Sequence, residues 1–82
     1  MNGSPPTLKK GSKGEAVTKL QNLLVGVGHD PGAVDGVFGA QTEKAVKEFQ
    51  ASYVLTSEED QAEYRLEADG IVGPKTWAAL GG

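Results

Sequence analysis

The sequence contains no cysteine and only one histidine, one tryptophan and one methionine. Without thiols the chain can form no disulfide, no cysteine-ligated zinc site and no thiolate nucleophile, so its stability has to come from packing alone. Aromatic residues make up 6% of the chain. There is no cluster of lysine or arginine, and the formal net charge is −3. A nucleic-acid binder needs a positive footprint to displace counterions, so that class is excluded, and a polybasic contact with a membrane surface falls on the same ground. No apolar run approaches the roughly 20 residues of a membrane-spanning helix. No signal-peptide pattern is visible in Met1–Thr7, which is polar and contains Pro5 and Pro6.

What is present fits one small domain. The chain has 82 residues, 38% of them apolar and 23% charged, an ordinary globular mixture. A domain of this size hides only roughly 60% of the surface its unfolded chain exposes, so every large apolar side chain matters to the core. Twelve glycines are many, but they fall at turn positions rather than in a run. Residues 1–7 are expected to be a flexible lead or linker and residues 8–82 the domain.

One phrase occurs twice. Residues 35–46 read D-G-V-F-G-A-Q-T-E-K-A-V and residues 69–80 read D-G-I-V-G-P-K-T-W-A-A-L. Asp, Gly, Gly, Thr and Ala recur in register, and Val37, Phe38 and Val46 are matched by Ile71, Val72 and Leu80. A repeated phrase is a structural device first. Asp-Gly favours a tight turn, because aspartate can accept from the backbone two residues on and glycine tolerates positive φ. The two apolar residues that follow are expected to plug the core. The second glycine should begin a helix, as Gly73-Pro74 shows most plainly, since proline suits the first helical position. Asp35 and Asp69, just ahead of helix starts, are read as turn-forming and capping groups favoured by the helix dipole.

Three amphipathic helices follow from the periodicity. Val17, Leu20, Leu24 and Val27 recur at helical spacing, widened by Ala16 and Leu23. Ser12 with Glu15 three residues on reads as a capping box, and Gly26 and Gly28 mark the helix end. A second helix is expected over about 40–53, with Ala45, Val46, Phe49 and Tyr53 inward, and a third over 74–80. Between them, residues 54–68 are the least regular segment. Ser57 followed by Glu58, Glu59 and Asp60 reads as the start of a short extra helix, the alternative being an acidic loop. The fold class is therefore all-α, a compact bundle of three main helices joined by tight Asp-Gly turns. No alternating strand pattern stands out, although Val37-Phe38 and Ile71-Val72 could pair with each other as a short bridge.

Three blocks in order carry a family likeness: L-x-x-G-S-x-G-x-x-V-x-x-L-Q-x-x-L over residues 8–24, D-G-V-F-G-x-x-T-x-x-A-V-x-x-F-Q over residues 35–50, and D-G-I-V-G-P-x-T-W-x-x-L over residues 69–80. Together they resemble the peptidoglycan-binding domain family, three-helix wall-binding modules found in bacterial cell-wall hydrolases. The likeness spans nearly the whole chain. It departs from the family pattern between Gln50 and Asp69, where the connection is longer than usual and residues 54–68 read as an insertion. The resemblance implies binding to peptidoglycan, an extracytoplasmic location, and covalent attachment to a catalytic domain in a longer protein. The related prodomains of matrix metalloproteinases carry a cysteine switch, which this chain lacks.

The residue inventory predicts no catalysis. His29 lies in a Gly/Pro loop, where a solvated side chain is expected. No nucleophile has a base oriented by a third group at suitable spacing. The carboxylate pairs on offer for glycan hydrolysis are Asp35 with Asp69, better explained by the repeated turn, and the Glu58–Asp60 run, which has no apolar setting to raise a pKa. No cofactor or metal is implied. A sugar–peptide polymer instead calls for aromatic faces, amides and charged groups at a shallow site. The candidate ligand contacts are Gln21, Asp35, Gln50, Tyr53, Tyr64, Arg65 and Trp77. Three of these have an equally direct structural reading: Gln21 and Gln50 each follow a core residue and can tie down the backbone of an Asp-Gly loop, and Trp77 can pack the third helix. No oligomer signal is present, so a monomer is expected. The rival reading is a protein-docking module, for which the acidic stretch 58–63 would suit a basic partner.

Overall fold

The structure, a computed structural model, describes residues 6–56 and 63–81, with side chains described over 6–53 and 66–81. Three helices form the body: α1 (Glu15–Gly26), α2 (Ala40–Ser52) and α3 (Pro74–Leu80). Their inward faces meet in one core of Leu8, Val17, Leu20, Leu24, Phe38, Ala45, Val46, Phe49, Val72, Trp77 and Leu80, each at most 6% exposed. The period-3.6 spacing of Val17, Leu20 and Leu24 on α1, and of Ala45, Val46 and Phe49 on α2, places these side chains on single helix faces. No described helix is long and apolar enough to cross a membrane.

Each helix begins at a glycine, and none has a side-chain cap. Gly14, Gly39 and Gly73 are the N-caps of α1, α2 and α3. The expected Ser12–Glu15 capping box does not form: Ser12 Oγ accepts instead from the Lys9 backbone N–H at 3.1 Å, closing a turn that precedes the helix. Asp35 and Asp69 are not caps either. Each turns its carboxylate onto its own loop, where Oδ1 accepts from the N–H two residues on, Val37 at 3.0 Å and Ile71 at 2.9 Å. Four residues of chain separate each of these aspartates from its helix start, too far for a cap but right for the turn itself.

The two extended dipeptides do not pair with each other. The N-terminal segment runs along both of them. Leu8 bridges Val72 through reciprocal bonds of 3.0 and 2.8 Å, and Lys13 bridges Val37. Only one of each apolar pair plugs the core. Phe38 and Val72 are buried, whereas Val37 and Ile71 are each 41% exposed, as strand alternation requires of neighbours in extended backbone. Residues 54–68 also differ from expectation. Strands β1 (Val54–Thr56) and β2 (Glu63–Arg65) form an antiparallel ladder in the register Val54↔Arg65, Leu55↔Tyr64, Thr56↔Glu63. The β-branched and aromatic content of these pieces favours a pleated strand over the helix that the acidic run pointed to. The helix start expected at Ser57–Asp60 lies outside the described residues.

Gly36 and Gly70 occupy equivalent left-handed positions, φ 75° and 76°, but have different neighbours. A Cβ on Gly36 would lie 2.9 Å from Thr18 Oγ1 and 3.2 Å from the Gly14 carbonyl oxygen. That carbonyl also caps the first turn of α1 by accepting from Val17 and Thr18, so it cannot move aside cheaply. A Cβ on Gly70 would meet only the flexible stems of Glu43 and Lys47. Gly36→Ala should therefore cost about 2 kcal/mol and Gly70→Ala about 1 kcal/mol, both including the left-handed penalty. Thermal unfolding of the two variants side by side measures the difference, and equal losses would mean that the Gly14 contact is not tight.

Candidate functional site

The repeated phrase builds two copies of one hydrogen-bonded knot. In the first, the Gln21 side chain enters the loop from α1. Its Oε1 accepts from Gly36 N–H at 2.9 Å, while Nε2 donates to Val37 O at 3.0 Å, Thr42 Oγ1 at 3.2 Å and Asp35 Oδ1 at 3.3 Å. In the second, Gln50 enters from α2. Its Oε1 accepts from Gly70 N–H at 3.0 Å, and Nε2 donates to Ile71 O at 2.8 Å, Thr76 Oγ1 at 3.2 Å and Asp69 Oδ1 at 3.5 Å. Both amides are buried, at 0% and 1% exposure. Every donor and acceptor they carry is used to hold a turn against a helix, so neither presents an atom to a ligand.

Trp77 is likewise withdrawn. It is 2% exposed, and its indole Nε1 donates to the Pro6 carbonyl at 2.9 Å, fixing the residues just ahead of Leu8. No face of this ring is free to stack on a sugar. Tyr53 is half-buried and leans on Phe49, ring centroids 5.4 Å apart and tilted by 40°. His29 is not the fully solvated side chain expected: it sits half-buried with its edge toward the same Phe49 ring, at 5.9 Å and 81°. Asp35 is exposed on the first turn, and the Val37 N–H, followed by the Gln21 amide, holds its carboxyl below the ordinary aspartate value. Tyr64 and Arg65 lie on β2, and their side chains are outside the described residues. The described candidates, Gln21, Asp35, Gln50, Tyr53 and Trp77, therefore do not converge on one spot.

The two knots differ on their outer sides. In the first copy, Thr42 Oγ1 donates onward to Pro31 O at 3.0 Å and Gln41 Nε2 donates to Asp30 O at 3.1 Å. The chain's own Asp30–Gly32 loop covers that side, and Pro31 is fully buried. In the second copy the corresponding side is a groove of about 500 Å³, whose lining includes Leu66, Glu67, Asp69, Ile71, Lys75 and Thr76 beside Gln50. Lys75 and Thr76 are the counterparts of Gln41 and Thr42 in the repeated phrase. The sequence does not single out these two as groove residues, because they fall in the repeated phrase at the start of the third helix. Among the described residues, no three histidine, aspartate or glutamate side chains gather to hold a metal.

Comparison with known proteins agrees with this architecture. The family model of the peptidoglycan binding domain matches residues 13–57. The zinc D-Ala-D-Ala carboxypeptidase of Streptomyces albus G is 42% identical over 76 residues, covering 87% of this chain and 24% of that protein. Among solved structures, the endolysin of the Burkholderia phage AP3 superposes with a TM-score of 0.73 at 37% identity, over 92% of this chain and 24% of that one. The SleB N-terminal domain superposes with a TM-score of 0.72 at 36% identity, over 94% of this chain and 90% of that one. The chain thus spans about a quarter of the carboxypeptidase and of the endolysin, and nearly all of the separate SleB domain. With the family model covering more than half of the sequence and the doubled Asp-Gly knot set between three helices, the chain is a member of the peptidoglycan-binding domain family.

Proposed function

We propose that this domain binds bacterial peptidoglycan without acting on it, and that it holds a covalently attached cell-wall enzyme against its substrate. The observation that carries this reading is where the likeness lies. The chain matches one segment, 24% in length, of a D-Ala-D-Ala carboxypeptidase and of a phage endolysin. It also matches almost the whole of a separately folded N-terminal domain. The site chemistry supports the same reading. The buried amides are committed to the two turns, Asp35 and Asp69 each serve their own loop, and the groove beside the second turn remains open. In this reading the domain works as a monomer outside the cytoplasm.

High affinity is not needed for such a role. A millimolar site is worth about −4 kcal/mol, and a tether to a dense repeating polymer raises the local concentration of the attached enzyme without any tighter contact. The test is retention of the purified domain on insoluble, protein-free peptidoglycan at low and high salt. Retention at both salts is expected, because hydrogen bonds and apolar contacts outlast screening. Release at high salt would indicate charge-led association, and no retention of a folded domain at either salt would favour docking on a protein partner instead.

A further inference from the structure

The two halves of the fold make the same knot but finish it differently, and the first half shows what the second can hold. Thr42 Oγ1 accepts from Gln21 Nε2 and passes its own proton to the Pro31 carbonyl. Thr76 Oγ1 accepts from Gln50 Nε2 in the same way, yet among the described residues its proton has no carbonyl to go to. A hydroxyl carries one donor besides its acceptor sites, and Thr76 is 4% exposed, so bulk water reaches it only through the groove it lines. Gln41, which donates to the Asp30 carbonyl in the first half, is replaced by Lys75, again a donor. In the first half the chain's own Asp30–Gly32 turn satisfies both positions. In the second half the sequence counterparts of these residues are Tyr64, Arg65 and Leu66. There Tyr64 and Arg65 belong to the β1–β2 ladder, and among the described residues Leu66 and Glu67 line the groove from this connection.

We propose that this groove takes a short extended peptide, the stem peptide of peptidoglycan rather than its glycan strand, with peptide carbonyls accepting from Thr76 Oγ1 and Lys75 Nζ as Asp30 and Pro31 do in the other half. The proposal rests on the wall-binding reading above and specifies its ligand. The lining agrees with a peptide. Among the described residues it offers aliphatic surface from Leu66 and Ile71 and no aromatic ring, whereas sugar sites depend on stacking faces. Glu67 and Asp69 put two negative charges at the groove and Lys75 one positive charge, so both an amino group and a carboxylate of a stem peptide find an opposite charge there. The β1–β2 ladder, which takes up the chain counterparts of Asp30 and Pro31, is then what leaves the site to a ligand.

Gly73 gives a clean test. It lines the groove, its φ of −97° suits any residue, and a Cβ there would meet nothing within 4 Å. Gly73→Phe should therefore plug the groove without backbone strain. Gly39 is its counterpart in the first half, is also an N-cap with a φ of −102°, and is equally open, so Gly39→Phe carries the same cap change away from the groove. Binding of a soluble, sugar-free stem tetrapeptide would be followed by amide chemical shifts in the full 82-residue chain, alongside retention on intact peptidoglycan and on glycan stripped of its peptides by an amidase. The expected result is shifts centred on Leu66, Ile71, Lys75 and Thr76, at least tenfold weaker peptide binding by Gly73→Phe, unchanged binding by Gly39→Phe, and loss of retention on stripped glycan. Wild-type retention on stripped glycan, or equal peptide binding by Gly73→Phe, would overturn the peptide assignment and leave wall binding intact. No retention of the wild type on intact peptidoglycan would overturn both.

Discussion

Gln21→Leu should remove about 3–4 kcal/mol of stability, although leucine nearly matches glutamine in bulk and the site is wholly buried. The side chain is the only partner holding the buried Gly36 N–H, and it also serves the Val37 carbonyl and the Thr42 hydroxyl. Deleting it strands a buried donor and weakens an acceptor, each at about 1–3 kcal/mol. Thr42 keeps its bond to Pro31 and so loses less. For a domain of this size the total stability is about 4–12 kcal/mol, at roughly 0.05–0.15 kcal/mol per residue. A loss of 3 kcal/mol then lowers the melting temperature by about 12–24 °C. Gln50→Leu should behave alike, since Gly70, Ile71 and Thr76 depend on it in the same way. Thermal unfolding followed by circular dichroism decides the matter. A drop under 5 °C in both variants would show that these amides are dispensable and would return them to the list of surface contacts.

The knots explain which parts of the molecule were legible in the sequence. The helices were, because Val17, Leu20 and Leu24 or Ala45, Val46 and Phe49 repeat a spacing that only one local geometry satisfies. The turns were legible from Asp-Gly, and the glutamines from their parallel place after Leu20 and Phe49. Capping was misread at Ser12 because the capping-box pattern was met in sequence while the chain spent that hydroxyl on Lys9 three residues earlier. Strand pairing was invisible for a different reason. Leu8 with Val72 and Lys13 with Val37 are long-range bridges, and a two-residue extended piece carries no periodicity that names its partner. Residues 54–56 and 63–65 are likewise too short for alternation to show, and the acidic run between them gave a stronger helical signal than either strand gave of its own. The groove was hidden by the repeat itself. Lys75 and Thr76 read like Gln41 and Thr42, and only the fold shows that one pair is covered by the chain and the other is not.

Trp77 sets the same limit on what a repeat can say, and here the expected effect is the larger one. The phrase equates Trp77 with Glu43, a half-buried residue that pairs loosely with Lys47 at 3.9 Å on the outside of α2. Equivalence in the repeat therefore says nothing about burial at this position. Trp77 is buried in the shared core, where the Pro6 carbonyl accepts from its indole N–H and the neighbouring Leu8 bridges Val72. Trp77→Ala should cost about 3–5 kcal/mol in lost burial and cavity, with the Pro6 tie lost as well, which brings a domain with this little reserve close to unfolding. Trp77→Phe keeps most of the apolar volume and should cost about 1–2 kcal/mol, much of it the hydrogen bond. The single tryptophan makes the wild type its own probe, because its emission should be that of a buried indole and should shift to the red in one step with the loss of helicity. Retention on peptidoglycan by Trp77→Phe should equal that of the wild type at temperatures where both are folded. A binding loss in folded Trp77→Phe would contradict the burial seen here and place the ring at the ligand. Loss of binding in Trp77→Ala alone would follow from the core having come apart, so it is the phenylalanine variant that separates a packing residue from a contact.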